Sequence, residues 1–69
     1  MPETDARVAL YDCIQSTLHS FGREEGNAIM NEVMSRMESG ARFRDWIAMI
    51  DLVTMERHPY LRLAREKMN

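Results

Sequence analysis

Cysteine is almost absent from this sequence, and the one it has, Cys13, cannot close an internal disulfide. Two histidines, His19 and His58, are also too few to complete a zinc pattern with it. No metal or cofactor is expected, and neither usual staple of a small domain is available. No apolar run approaches the roughly 20 residues of a membrane span. Residues 1–10 lack the basic-then-apolar layout of a secretion leader. With an odd cysteine, that layout leads us to expect a cytoplasmic protein with no membrane association. A basic excess is missing too. The formal net charge is −2, which disfavours a nucleic-acid partner, because affinity for phosphate rests mainly on Lys and Arg.

Glycine and proline are scarce, three and two residues, and their places divide the chain. Gly22 and Ser39-Gly40 read as helix stops, because glycine readily takes the left-handed geometry that ends a helix. Pro59 ends the next segment, because a proline pushes the residue before it, His58, away from helical angles. Gly26 weakens the start of the second segment, at a cost of about 1 kcal/mol against alanine. The joints predict helices at about 5–20, 23–38, 41–57 and 59–68. The fold class is therefore all-α: a compact bundle of three main helices plus a short C-terminal helix, forming one domain over residues 1–69.

The apolar residues follow a helical period in each segment. Thr4 or Asp5 is a plausible N-cap for the first helix. Its core stripe is Leu10, Ile14, Leu18 and Phe21, with Tyr11 and Thr17 beside it. Ile29, Met30, Val33 and Met37 form the second stripe, flanked by Met34. Phe43, Ile47, Ile50 and Val53 or Thr54 form the third, widened by Trp46, Met49 and Leu52. Tyr60, Leu61, Ala64 and Met68 are the expected inner face of the last. The third helix is apolar on more than one side and has to be covered on more than one side. Below roughly 70–80 residues a single core supplies only about 3–5 kcal/mol. Size, the wide apolar face and seven methionines together favour a homodimer.

Motifs for chemistry are thin. A nucleophilic cysteine needs a base within hydrogen-bond reach, and Cys13 lies mid-helix among core positions, where a thiol is usually inert. Glu24, Glu25, Glu32, Asp45, Asp51 and Glu56 show neither acid–base nor calcium-loop spacing, and they read as solvated helix faces. No enzyme is expected. The second helix, glycine turn and third helix resemble the layout of a helix-turn-helix, but the third helix has too little polar surface for a DNA groove. Arg42 and Arg44 flank Phe43 at a helix start, where cations are unfavourable by a few tenths of a kcal/mol. They are either solvated, paired with Glu38, Asp45 or residues of a neighbour, or held for contact with acidic protein or phosphate. The methionines either fill a small core or provide an adaptable binding face. The best reading is a non-enzymatic protein–protein interaction module: a small regulator, adaptor or inhibitor of a larger partner. Its candidate surface is Met34, Arg42, Phe43, Arg44, Trp46 and Met49. The alternative is a small nucleic-acid-binding transcriptional regulator using Arg23, Arg36, Arg42 and Arg44.

Overall fold

A computed structural model describes residues 3–68, with side chains except those of Glu3, Arg62, Arg65, Glu66 and Met68. There are three helices, α1 (Glu3–Arg36), α2 (Phe43–Arg57) and α3 (Pro59–Met68), and no strand among the described residues. The first two expected helices are therefore one element, α1, broken by non-helical backbone at Gly22 (φ +83°, ψ 168°). That region is open essentially to glycine alone, which is why the break falls there.

The break is a sharp bend. A straight helix of 34 residues would run about 51 Å, whereas the longest extent of the molecule is 32 Å. Residues 18 and 26 would stand about 12 Å apart along a straight helix. Instead, a Cβ placed on Gly26 would lie 3.1 Å from the Leu18 Cα. The limb 3–21 thus turns against the limb 23–36, and Gly26 is buried at the contact. Its role is close approach of two backbones rather than the weakening of a helix start.

The core lies where the limbs meet α2. Ile29 and Val33 of the second limb and Ile50 and Val53 of α2 are fully buried. Burying each such side chain is worth roughly 1.5–3 kcal/mol. Leu10, Cys13, Ile14 and Phe21 of the first limb pack on this cluster, together with Met30, Met37, Trp46 and Met49. Thr17 is buried although polar, and its hydroxyl donates to the Cys13 carbonyl at 2.8 Å. It thereby meets its hydrogen-bond requirement within its own helix.

Several boundaries differ from those expected. α1 is already helical at Glu3, so Thr4 and Asp5 lie inside its first turn and do not cap it. It ends at Arg36 rather than 38, although the Met37 N–H still donates to the Val33 carbonyl at 3.0 Å. α2 starts at Phe43 rather than 41, after the Gly40 turn. Asp45 anchors that start, its carboxylate accepting the Arg42 N–H at 3.1 Å. At the other end His58 leaves helical geometry (φ −131°, ψ 70°), and Pro59 opens α3. The expected inner face of α3 is only partly turned inward. Leu61 is half-buried, Tyr60 and Ala64 are exposed, and the Met68 side chain lies outside the described residues. Tyr11 and Leu52 are exposed as well, and not beside the core.

Candidate functional site

Where the first limb of α1 lies along α2, the two helices leave an open crease. It is lined by Arg7, Val8, Leu10, Tyr11, Ile14 and Phe43 and is apolar except for the arginine. A separate hollow further along α2 is lined by Cys13, Thr17, Arg44, Ile47, Ala48, Ile50, Asp51 and Thr54. Residue numbers rise together on both sides, so the limb and α2 run parallel here. Val8 and Tyr11 are 56% and 65% exposed. Large apolar side chains this open, adjacent to one another and beside a groove, form the kind of patch that marks an interaction surface.

The charges are sorted unevenly around this crease. Arg36 bridges Glu32 at 2.7 Å and Glu56 at 2.9 Å. Arg57 grips Glu25 with two hydrogen bonds, Nε to Oε2 at 2.7 Å and Nη2 to Oε1 at 2.8 Å. His58 Nε2 meets the same carboxylate at 2.8 Å. The His58 ring stacks on Phe21 with centroids 4.5 Å apart, and Tyr60 approaches it edge-on at 5.8 Å. Glu25 is held well below the usual carboxylate range, at about 2, first by the hydrogen bond from Arg57 and then, against some desolvation, by the one from His58. Glu25 and Glu56 thus join α1 to α2, while Glu32 pairs within its own helix, and none of the three is merely a solvated face. Arg7, Arg42 and Arg44, by contrast, meet no carboxylate in an ion pair among the described residues. All three line the crease or flank Phe43, which sits at its mouth. Asp45, the nearest carboxylate in sequence, engages the Arg42 backbone and neither guanidinium.

The candidate residues are not gathered on one surface. Arg42 and Arg44 are exposed, and Phe43 is half-buried at the crease. Trp46 and Met49 are half-buried and pack against the core cluster, while Met34 is 58% exposed on the second limb. Arg23 stands apart, by the Gly22 bend, with Gln15, His19 and Asn27 around a separate polar hollow. Sequence reasoning passed over Arg7 and Val8. Their signal is a second apolar pair, Val8 and Tyr11 at i, i+3, set to one side of the Leu10–Ile14 stripe. The Glu25–Arg57–His58 cluster had no local signal, because its members lie 32 and 33 residues apart.

The thiol of Cys13 is pushed up by burial and then by the nearby charge of Asp51. It is therefore kept protonated, which is the weakly nucleophilic form. No group of three or more His, Cys, Asp or Glu among the described residues is placed to hold a metal ion. No described helix is long and apolar enough to cross a membrane. Comparison with known proteins finds no matching family model, curated protein or solved structure.

Proposed function

We propose that this chain is a non-enzymatic protein–protein interaction module, a small cytoplasmic regulator, adaptor or inhibitor that docks a larger protein. The observation that carries this reading is the crease: exposed Val8 and Tyr11 beside Phe43, rimmed by arginines without ion pairs. The docking surface of this reading is Arg7, Val8, Tyr11, Arg42, Phe43 and Arg44. Trp46 and Met49 support it from the core side. The reading treats the molecule as a bundle of three main helices, namely the two limbs of α1 and α2, with α3 appended. The shared core cluster supports that description.

The nucleic-acid alternative needs Arg23, Arg36, Arg42 and Arg44 on one face. Arg36 is neutralised by two glutamates and Arg23 lies at the bend, so the arginines argue against it.

A photo-crosslinking residue placed at Val8 tests the reading in cells of the source organism. One protein adduct is expected from position 8 and none from the same residue placed at exposed Asn31. Equal adducts from both positions, or none from position 8, would refute the docking surface.

A further inference from the structure

We propose that Gly22 is a hinge for exchange between two copies of this chain. α1 opens there, and the limb 3–21 of each copy seats on the second limb and α2 of the other. This inference is independent of the docking reading above.

The seat is defined by contacts already made within one chain. Leu10, Cys13, Ile14 and Phe21 of the limb pack on Ile29, Val33, Ile50 and Val53. All four residues of that seat lie beyond the hinge in the chain. A second copy presents the same limb with the same side chains, so its contacts repeat those of the bent monomer. Exchange of an identical element is a low-cost route to a dimer for this reason.

The joint favours exchange. Between Glu3 and Arg36 the backbone leaves helical angles at Gly22, whereas helices packed in a bundle are usually joined by about 2–8 residues. So short a hinge has no slack, and short hinges invite swapping. Glycine takes both left-handed and helical angles, so rotation at one residue turns the bent α1 into a continuous helix. Gly22 is exposed, and a Cβ placed on it meets nothing within 4 Å. A second helix therefore has room to cross there.

The close contact between the limbs is centred on the hinge. Leu18 and Gly26 stand equally far along the chain on either side of Gly22, and a Cβ placed on Gly26 would lie 3.1 Å from the Leu18 Cα. Two straight α1 helices that cross at residue 22 set Leu18 of each copy against Gly26 of the other. That contact is self-complementary about a two-fold axis, as a closed dimer requires.

Residue 22 sets the balance between the two forms. The bent monomer holds it at φ +83° and ψ 168°, a region essentially closed to a residue with a Cβ. The straight α1 makes it a helix position, which alanine fills better than glycine. Alanine therefore penalises the monomer and favours the dimer while leaving every contact of the seat in place.

Light scattering from micromolar to millimolar concentration tests this. Gly22→Ala should dimerise at least about a hundred-fold more tightly than wild type, or ten-fold for each of the two hinges. The span of α1 within one chain separates exchange from side-by-side pairing. Spin labels at Asp5→Cys and Asn31→Cys, both exposed positions, are placed in a Cys13→Ala background and diluted with unlabelled protein. In the exchanged dimer they should stand about 39 Å apart, at about 1.5 Å per residue of straight helix. In the bent monomer they should stay within its 32 Å longest extent. Inserting Gly-Gly-Ser after Gly22 should give a monomer with the short distance. Where far-UV circular dichroism shows Gly22→Ala unfolded, the wild-type chain at millimolar concentration carries the test. It should then show the long distance, and the insertion should remove it. A folded alanine variant that stays monomeric, a dimer that keeps the short distance, or a long distance in a monomer would each overturn the exchange. So would a wild-type sample without the long distance where that sample carries the test.

Discussion

Replacing Gly22 with alanine should destabilise the protein without touching a neighbour. The backbone there stands at φ +83° and ψ 168°, a region that costs a residue with a Cβ about 1–3 kcal/mol. Space is not the issue, because a Cβ at Gly22 meets nothing within 4 Å. The whole effect therefore lies in the backbone. A chain of this length has about 3–10 kcal/mol of stability in all, at about 0.05–0.15 kcal/mol per residue. A loss of about 2 kcal/mol is thus a large share of it. With a urea slope of about 1 kcal/mol per molar, the midpoint should fall by about 2 M. A second effect adds to the first. Alanine favours a helical residue over glycine by about 1 kcal/mol, so the substitution also favours a straightened α1. A population with a maximum dimension of about 50 Å in small-angle scattering would report that form, against the 32 Å extent of the bent one. Far-UV circular dichroism in urea is the primary assay. A midpoint equal to wild type would show that residue 22 does not hold a positive φ, and the bend would need another cause.

Gly26→Ala should lower the melting temperature although it raises helix propensity. Its Cβ would lie 2.6 Å from the Leu18 Cδ2 and 3.1 Å from the Leu18 Cα, and overpacking of about 1–3 kcal/mol outweighs a gain of about 1 kcal/mol. A higher melting temperature would show that the limbs do not approach closely there. Ile29→Ala should cost about 2–5 kcal/mol in chemical denaturation, because Ile29 is fully buried. Met34→Ala should stay within about 0.5 kcal/mol, and a larger loss would place Met34 in the core after all. Glu25→Gln should change the acid limb of stability. The folded carboxyl titrates at about 2 and its ordinary value is 4.5, so its contribution is complete above pH 4.5 and is lost as pH falls toward 2. The variant should therefore be weaker at neutral pH and show a shallower decline across that interval. Parallel acid limbs for the two proteins would mean that the Arg57 and His58 contacts do not persist in solution.

Some of this was legible in the sequence because it depends on neighbours along the chain. The period placed Ile29, Val33 and Ile50, and left Val53 or Thr54 as the next position, of which Val53 is the one fully buried. Gly22 was visible as a stop because few residues tolerate its angles. What it connects was not visible, since a helix that ends and a helix that bends leave the same mark. Gly26 was misread for a related reason. Propensity records only the cost of glycine inside a helix, and the gain here is a contact with Leu18, whose distance only the fold can set. The pairing of Glu25 with Arg57 and His58 likewise needed the α2 terminus to arrive beside the second limb.

The exposed patch on the first limb follows from how two helices meet, which no single residue announces. The limb 3–21 is about 28 Å long and α2 about 22 Å, at about 1.5 Å per residue. The two run parallel, with Phe21 beside His58 and Cys13 and Thr17 beside Ile47 and Ile50. Carried back in that register, Val8 and Tyr11 still fall alongside the start of α2. They are open because they stand to one side of Leu10 and Ile14, the face of the limb that packs on the core. A sequence reading that sets every apolar helical position against one core places Tyr11 beside it, whereas this offset leaves it open. Phe43, flanked by Arg42 and Arg44, reaches the edge of that apolar patch. Tyr11→Ser should therefore stay within about 0.5 kcal/mol of wild type in chemical denaturation, because Tyr11 is exposed and outside the core cluster. A loss of about 2 kcal/mol or more would show that Tyr11 is packed in the core and that the patch is not open.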